Sequence, residues 1–123
     1  MRRIRLAVLL GCLVVPAAAQ AMTVETFLAK AKALKAQGLL AATSSDLPLV
    51  RAEVKNAATA YRVQIAADKA AGKKPRACPP PVGQAKIDGT VVMTEFETIP
   101  VAKRKVSVKS AFYAMMDRRY PCT

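Results

Sequence analysis

Histidine is absent from all 123 residues, which removes the commonest general acid or base and the commonest transition-metal ligand. Glycine is scarce as well, with 5 residues, and none builds a phosphate-cradling loop. No G-x-S-x-G elbow and no His-bearing metal motif occurs. Acidic residues number 8 against 20 Lys plus Arg. The one carboxylate pair to weigh is Glu95 with Glu97. Two residues apart, they point to different sides of a helix and share a face only on a strand. Paired-carboxylate catalysis also needs a cleft that shifts the two pKa values apart, and nothing in the sequence marks one. Lysine is plentiful, but no neighbouring motif singles one out as a nucleophile. The expectation is a protein that is not an enzyme and that uses no cofactor and no metal.

What is present at the N-terminus is the layout of a secretory signal peptide. Met1-Arg2-Arg3-Ile4-Arg5 is a basic start, Leu6 to Val15 is an uncharged apolar run, and Pro16 leads into small residues ending Ala19-Gln20-Ala21. Cleavage is expected after Ala21, leaving residues 22–123 as a single helical domain in the periplasm or outside the cell. The whole uncharged stretch from Leu6 to Thr23 relies on Ala and Gln towards its end, so a membrane anchor is the weaker reading, and no transmembrane helix is expected after processing. A competing reading is the lipobox-like Leu9-Leu10-Gly11-Cys12, at which cleavage would make Cys12 a lipidated N-terminus. The apolar run before Cys12 is short for an ordinary signal core.

Removing residues 1–21 takes away three arginines and no acid, leaving 17 basic against 8 acidic residues, a net charge of +9. Such a surface attracts anions. Six residues stand out as candidate contacts: Lys73, Lys74 and Arg76 in one run, and Lys103, Arg104 and Lys105 in another. For an exported protein the available partners are an acidic protein or the anionic surface of the envelope, its lipid headgroups and polymers. Nucleic acid is not expected, because Phe27, Tyr61, Phe96 and Phe112 fall on apolar stripes and offer no stacking platform.

Cysteine parity adds to the picture of an exported chain. Cys12 leaves with the signal peptide and an even pair remains, Cys78 and Cys122, which in an oxidising compartment is expected to form a disulfide. Closing a loop of that length stabilises a fold by about 4 kcal/mol in the chain-entropy model.

The mature chain reads as helices. Thr23 is an N-cap for a helix whose stripe is Val24, Phe27, Leu28, Ala31 and Leu34, with Gly38 as its stop. Leu39-Leu40-Ala41-Ala42 is apolar and expected to pack, as a helical turn or as part of the connection. Thr43-Ser44-Ser45-Asp46 offers caps for a long helix with Pro48 in its first turn, a stripe from Leu47 to Ile65 and a stop at Gly72. Four prolines between Lys74 and Val82 make the next stretch an ordered linker held by Cys78. Residues 88–98 are ambiguous. Thr90 to Thr94 favours strand, but Val92, Phe96 and Ile99 have helical spacing after a capping Asp88, and a lone strand has no partner. Ser107 caps a last helix carrying Val108, Phe112 and Met115 or Met116, ended by Tyr120-Pro121. The fold class expected is all-α, a small bundle of about four helices closed by one disulfide.

Cys78-Pro79, the stretch Phe96 to Pro100, Ala111-Phe112, Met116 and the closing Tyr120-Pro121-Cys122 together resemble the Rap/Tai group of small periplasmic immunity proteins. In that group a Cys-hydrophobe-Pro segment is followed by a helix, a proline and a terminal helix ending in aromatic-Pro-Cys. The resemblance covers residues 78–123 and implies an exported all-helical protein that binds and blocks a peptidoglycan amidase delivered by type VI secretion. Some members are dimers, so it also admits a homodimer. The group usually carries a further cysteine and a Gly-rich helical stretch in its first half, and Ala57 to Ile65 supplies neither.

Overall fold

The computed structural model describes residues 21–123, so the expected signal segment up to Gln20 and the lipobox at Cys12 lie outside the described residues. Four α-helices follow one another: α1 Val24–Gln37, α2 Asp46–Ala70, α3 Gly89–Glu97 and α4 Val108–Arg119. Short 3-10 turns lie at Gly38–Thr43 and Val101–Lys103. The chain is the expected small all-α bundle, closed by a disulfide between Cys78 and Cys122 whose Cα atoms are 4.9 Å apart.

Three helices begin where their caps stand. Thr23 Oγ1 accepts from the Thr26 N–H, the Asp88 carboxylate from Val91 and Ser107 Oγ from Ser110, each satisfying a donor with no partner inside its helix. α2 starts differently. Ser45 makes no side-chain cap; Ser44 Oγ accepts from the Asp46 N–H at 3.3 Å, and Asp46 reaches across to Lys30 of α1 at 2.7 Å. That ion pair ties the middle of α1 to the start of α2. Residues 89–97 are helix, because Val92 and Phe96, one turn apart, are both buried.

α4 is the element around which the others close. Half of its twelve residues are buried, among them Phe112, Met115 and Met116. α2 packs along it through Ala57, Tyr61 and Ile65, with the Tyr61 ring edge-on to Phe112 and Tyr113 at centroid separations of 6.3 and 5.0 Å. α1 and α3 complete the core where Phe27 meets Phe96 edge to face at 5.4 Å. Burying each such aromatic contributes about 2 kcal/mol. The N-terminal end of α1 is pinned beside that of α4: Val24 N–H donates to the Val106 carbonyl, Val108 N–H to the Met22 carbonyl and Glu25 N–H to the Arg104 carbonyl. At the other end of α4 the proline-rich linker is held by the disulfide and by the Cys78 N–H donating to the Tyr120 carbonyl at 2.8 Å.

One expectation needs correcting. Leu39-Leu40-Ala41-Ala42 does form a helical turn, but it does not pack: Leu39 is 97% exposed and Leu40 72%. The buried stripe of α1 ends at Leu34. Gly38 then takes a positive φ of 57°, open to glycine at no steric cost, and the chain turns beyond the end of the bundle, where no other element covers it.

Candidate functional site

The six basic residues singled out by sequence have two fates. Arg76 is engaged within its own molecule: its Nε lies 3.0 Å from both Asp117 oxygens and its Nη2 2.7 Å from Oδ2. The same guanidinium lies over the Tyr113 ring at 4.8 Å. Tyr61, fully buried, donates its hydroxyl to Asp117 Oδ1 at 2.8 Å. The carboxylate therefore receives both a planar cation and a phenol.

The electrostatics of this cluster locks it rather than activates it. Partial burial pushes the Asp117 carboxyl up, but hydrogen bonds from Arg76 and Tyr61 and the arginine's charge outweigh it, and the group is held below the usual carboxylate range. Burial, helped by the hydrogen bond to Asp117 and its charge, pushes the Tyr61 phenol well above its ordinary value. The bond to Asp117 raises Arg76 further. All three are thereby fixed in the protonation states they would have at neutral pH, whereas a proton-transfer site needs a group poised near it. The cluster is a brace between the linker, α2 and α4.

Arg104 is committed too. Its Nε donates to the Ile99 carbonyl at 2.8 Å and its Nη2 to the Glu97 carbonyl at 2.9 Å, closing the C-terminal end of α3 as a cation there is expected to do. Lys73, Lys74, Lys103 and Lys105 are exposed. They do not form one patch: Lys73 and Lys74 precede the linker held at the C-terminal end of α4, whereas Lys103 and Lys105 lead into its N-terminus, and α4 itself is about 18 Å long. Glu95 is taken by Arg119 at 3.1 Å and Arg118 at 3.5 Å, so it is engaged with cations and not with Glu97.

Sequence reasoning did not find the apolar site beside α2. Between α2 and residues 82–87 lies an apolar groove of about 370 Å³. Its floor is the buried Tyr61, Phe112 and Met116; Val63, 63% exposed, and Val82, 82% exposed, stand at its rim. Arg62 enters it from α2, with Nη1 donating to the Pro80 carbonyl at 2.6 Å. Exposed Lys86 sits between the lining residues Ala85 and Ile87. The signal for part of this groove was visible as Val63, an apolar residue off the buried stripe of α2. The rest requires knowing that the segment after the prolines returns to α2.

Among the described residues there is no group of three or more acidic or cysteine side chains that could hold a metal, and no buried side-chain polar atom lacks a partner. No helix among them is long and apolar enough to cross a membrane. Comparison of the chain with protein-family models, with curated proteins and with solved structures found no match.

Proposed function

We propose that this chain is an exported basic binding protein that occupies the surface of an acidic protein partner, in the manner implied by its resemblance to the immunity proteins that inhibit type VI secreted peptidoglycan amidases. The observation that supports it best is the groove between α2 and residues 82–87: an apolar floor with Arg62 at its margin. Such a site takes apolar side chains flanked by carboxylates, the apolar part supplying affinity and the charges register and encounter rate. A net charge of +9 after removal of residues 1–21 steers an acidic partner towards the molecule.

The experiment is capture from periplasm with the disulfide-intact protein and with its Val63→Glu variant. Val63 is a rim residue, so the substitution leaves the core alone and places a repelling charge at the groove. The expected outcome is an acidic protein retained in equal stoichiometry by the native chain and lost by the variant, whose peptidoglycan amidase activity falls when the native chain is added. Recovery of no protein, or of the same protein by both chains, would sink the proposal.

A further inference from the structure

Of the three exposed leucines of the described residues, Leu39 and Leu40 lie in the turn that joins α1 to α2 and Leu49 in the first turn of α2. We infer that this corner is a membrane-surface contact, inserting Leu39 and Leu40 into the headgroup and acyl boundary of an anionic phospholipid bilayer. The inference goes beyond binding of a protein partner, since the corner is distant from the groove floor and shares no residue with it.

Four observations carry it. The tip is convex: a side chain 97% exposed, as Leu39 is, has no ring of neighbours to exclude water around it, which a protein hot spot requires and a fluid lipid surface does not. It is also pre-ordered. The Gly38 N–H donates to the Lys35 carbonyl, Thr43 Oγ1 to the Leu40 carbonyl at 2.9 Å and the Ser44 N–H to the Ala41 carbonyl at 3.1 Å. Those bonds leave fewer bare backbone groups to carry into a headgroup layer, and the Lys30–Asp46 pair holds the two helices behind the tip. From Gly38 to Ala42 no side chain is polar, so the tip has nothing with which to recognise a protein surface in a directional way.

The fourth observation is charge. Exposed Lys32 and Lys35 in the closing turns of α1, and Arg51 in the second turn of α2, stand behind the leucines. Asp46, the acid nearest the tip, is neutralised by Lys30 at 2.7 Å, and the next acid, Glu53, lies beyond Arg51 along α2. An apolar tip backed by cations is the pattern of a protein that touches anionic lipid without spanning it.

The test uses vesicles of phosphatidylcholine with and without phosphatidylglycerol, at low and at high salt, and the disulfide-intact protein. The native chain is expected to co-sediment with the anionic vesicles at low salt and much less with the neutral ones. Leu39→Ser/Leu40→Ser should lower its partition by about tenfold, and Lys32→Glu/Lys35→Glu should lower it on anionic vesicles alone. The chain has no tryptophan, so Leu40→Trp is a sole reporter, expected to shift its emission to the blue on anionic vesicles. Unchanged emission, or equal partition of the native and Leu39→Ser/Leu40→Ser chains, would overturn the inference. So would absence of vesicle binding at low salt together with loss of a captured protein partner on Leu39→Ser/Leu40→Ser. Loss of partner capture by Val63→Glu with vesicle binding intact would leave the corner and the groove as separate contacts, as expected.

Discussion

At the stapled end of the bundle Arg76, Tyr61 and Asp117 satisfy one another, and Cys78 is bonded to Cys122. At the corner between α1 and α2, roughly 22 Å away along α2, Leu39 is 97% exposed. Both regions are ordered by hydrogen bonds and an ion pair, but only the first uses that order to bury its side chains. In the second the order presents apolar side chains to the surroundings, a conformation that contributes little to folding and is accounted for by what it touches. Stability and the lipid contact are thus assigned to different ends of one helix.

The largest effect should come from opening the staple. Cys78→Ser/Cys122→Ser is expected to destabilise the protein by about 4 kcal/mol, read as a fall in the urea midpoint. Next comes Asp117→Ala, which leaves the Arg76 guanidinium against two rings with no anion and Tyr61 with no acceptor. Its expected loss is about 2 kcal/mol, kept modest because the Asp117 side chain is 30% exposed and partly screened by water. Asp117→Asn, which preserves an acceptor for Tyr61, should lose less. If either pair of substitutions left the urea midpoint unchanged, the stapled end would not be the stabilising one.

The same cluster should make stability depend on pH at both extremes. The Asp117 carboxyl is held low in the folded protein, so its contribution is fully present above the ordinary carboxylate value, about pH 4, and is lost as pH falls through the lower folded value. The Tyr61 phenol is held high, so its contribution is complete below the ordinary phenol value, about pH 10, and is lost as pH rises towards the folded value. Thermal unfolding across both ranges should show the acid step shrink in Asp117→Asn and the alkaline step shrink in Tyr61→Phe. The smallest effect is expected at the corner, where Leu39→Ser/Leu40→Ser should change stability by no more than about 0.5 kcal/mol. A larger loss in the urea midpoint would mean that the leucines are part of the fold after all.

Much of the architecture was legible in the residues. The stripes through Phe27 and Leu28, through Ala57, Tyr61 and Ile65, and through Phe112 and Met116 are the buried faces, and Thr23, Asp88 and Ser107 cap the helices they precede. These are local signals, with period and cap within a few residues of each other. The pairing of Cys78 with Cys122 followed from parity. The fates of Arg76 and Arg104 were hidden, since a basic residue in a linker reads alike whether it faces water or a carboxylate 41 positions away. The clue was that Asp117 is the single acid of α4 and that the staple places it near Arg76. Exposure of Leu39 and Leu40 was illegible for the opposite reason. Apolar residues beside a helix end usually cover something, and only the direction in which Gly38 turns the chain shows that here they do not.

Hydrogen exchange on the disulfide-intact protein, alone and with anionic vesicles, tests this division of the molecule most directly. Amides around Arg76 to Cys78 and along α4 to Tyr120 should exchange slowly and equally in both conditions, whereas residues 38–49 should exchange faster in the free protein and become protected on the vesicles. Protection that appears at the stapled end instead, or an exchange pattern at residues 38–49 that vesicles leave unchanged, would contradict it.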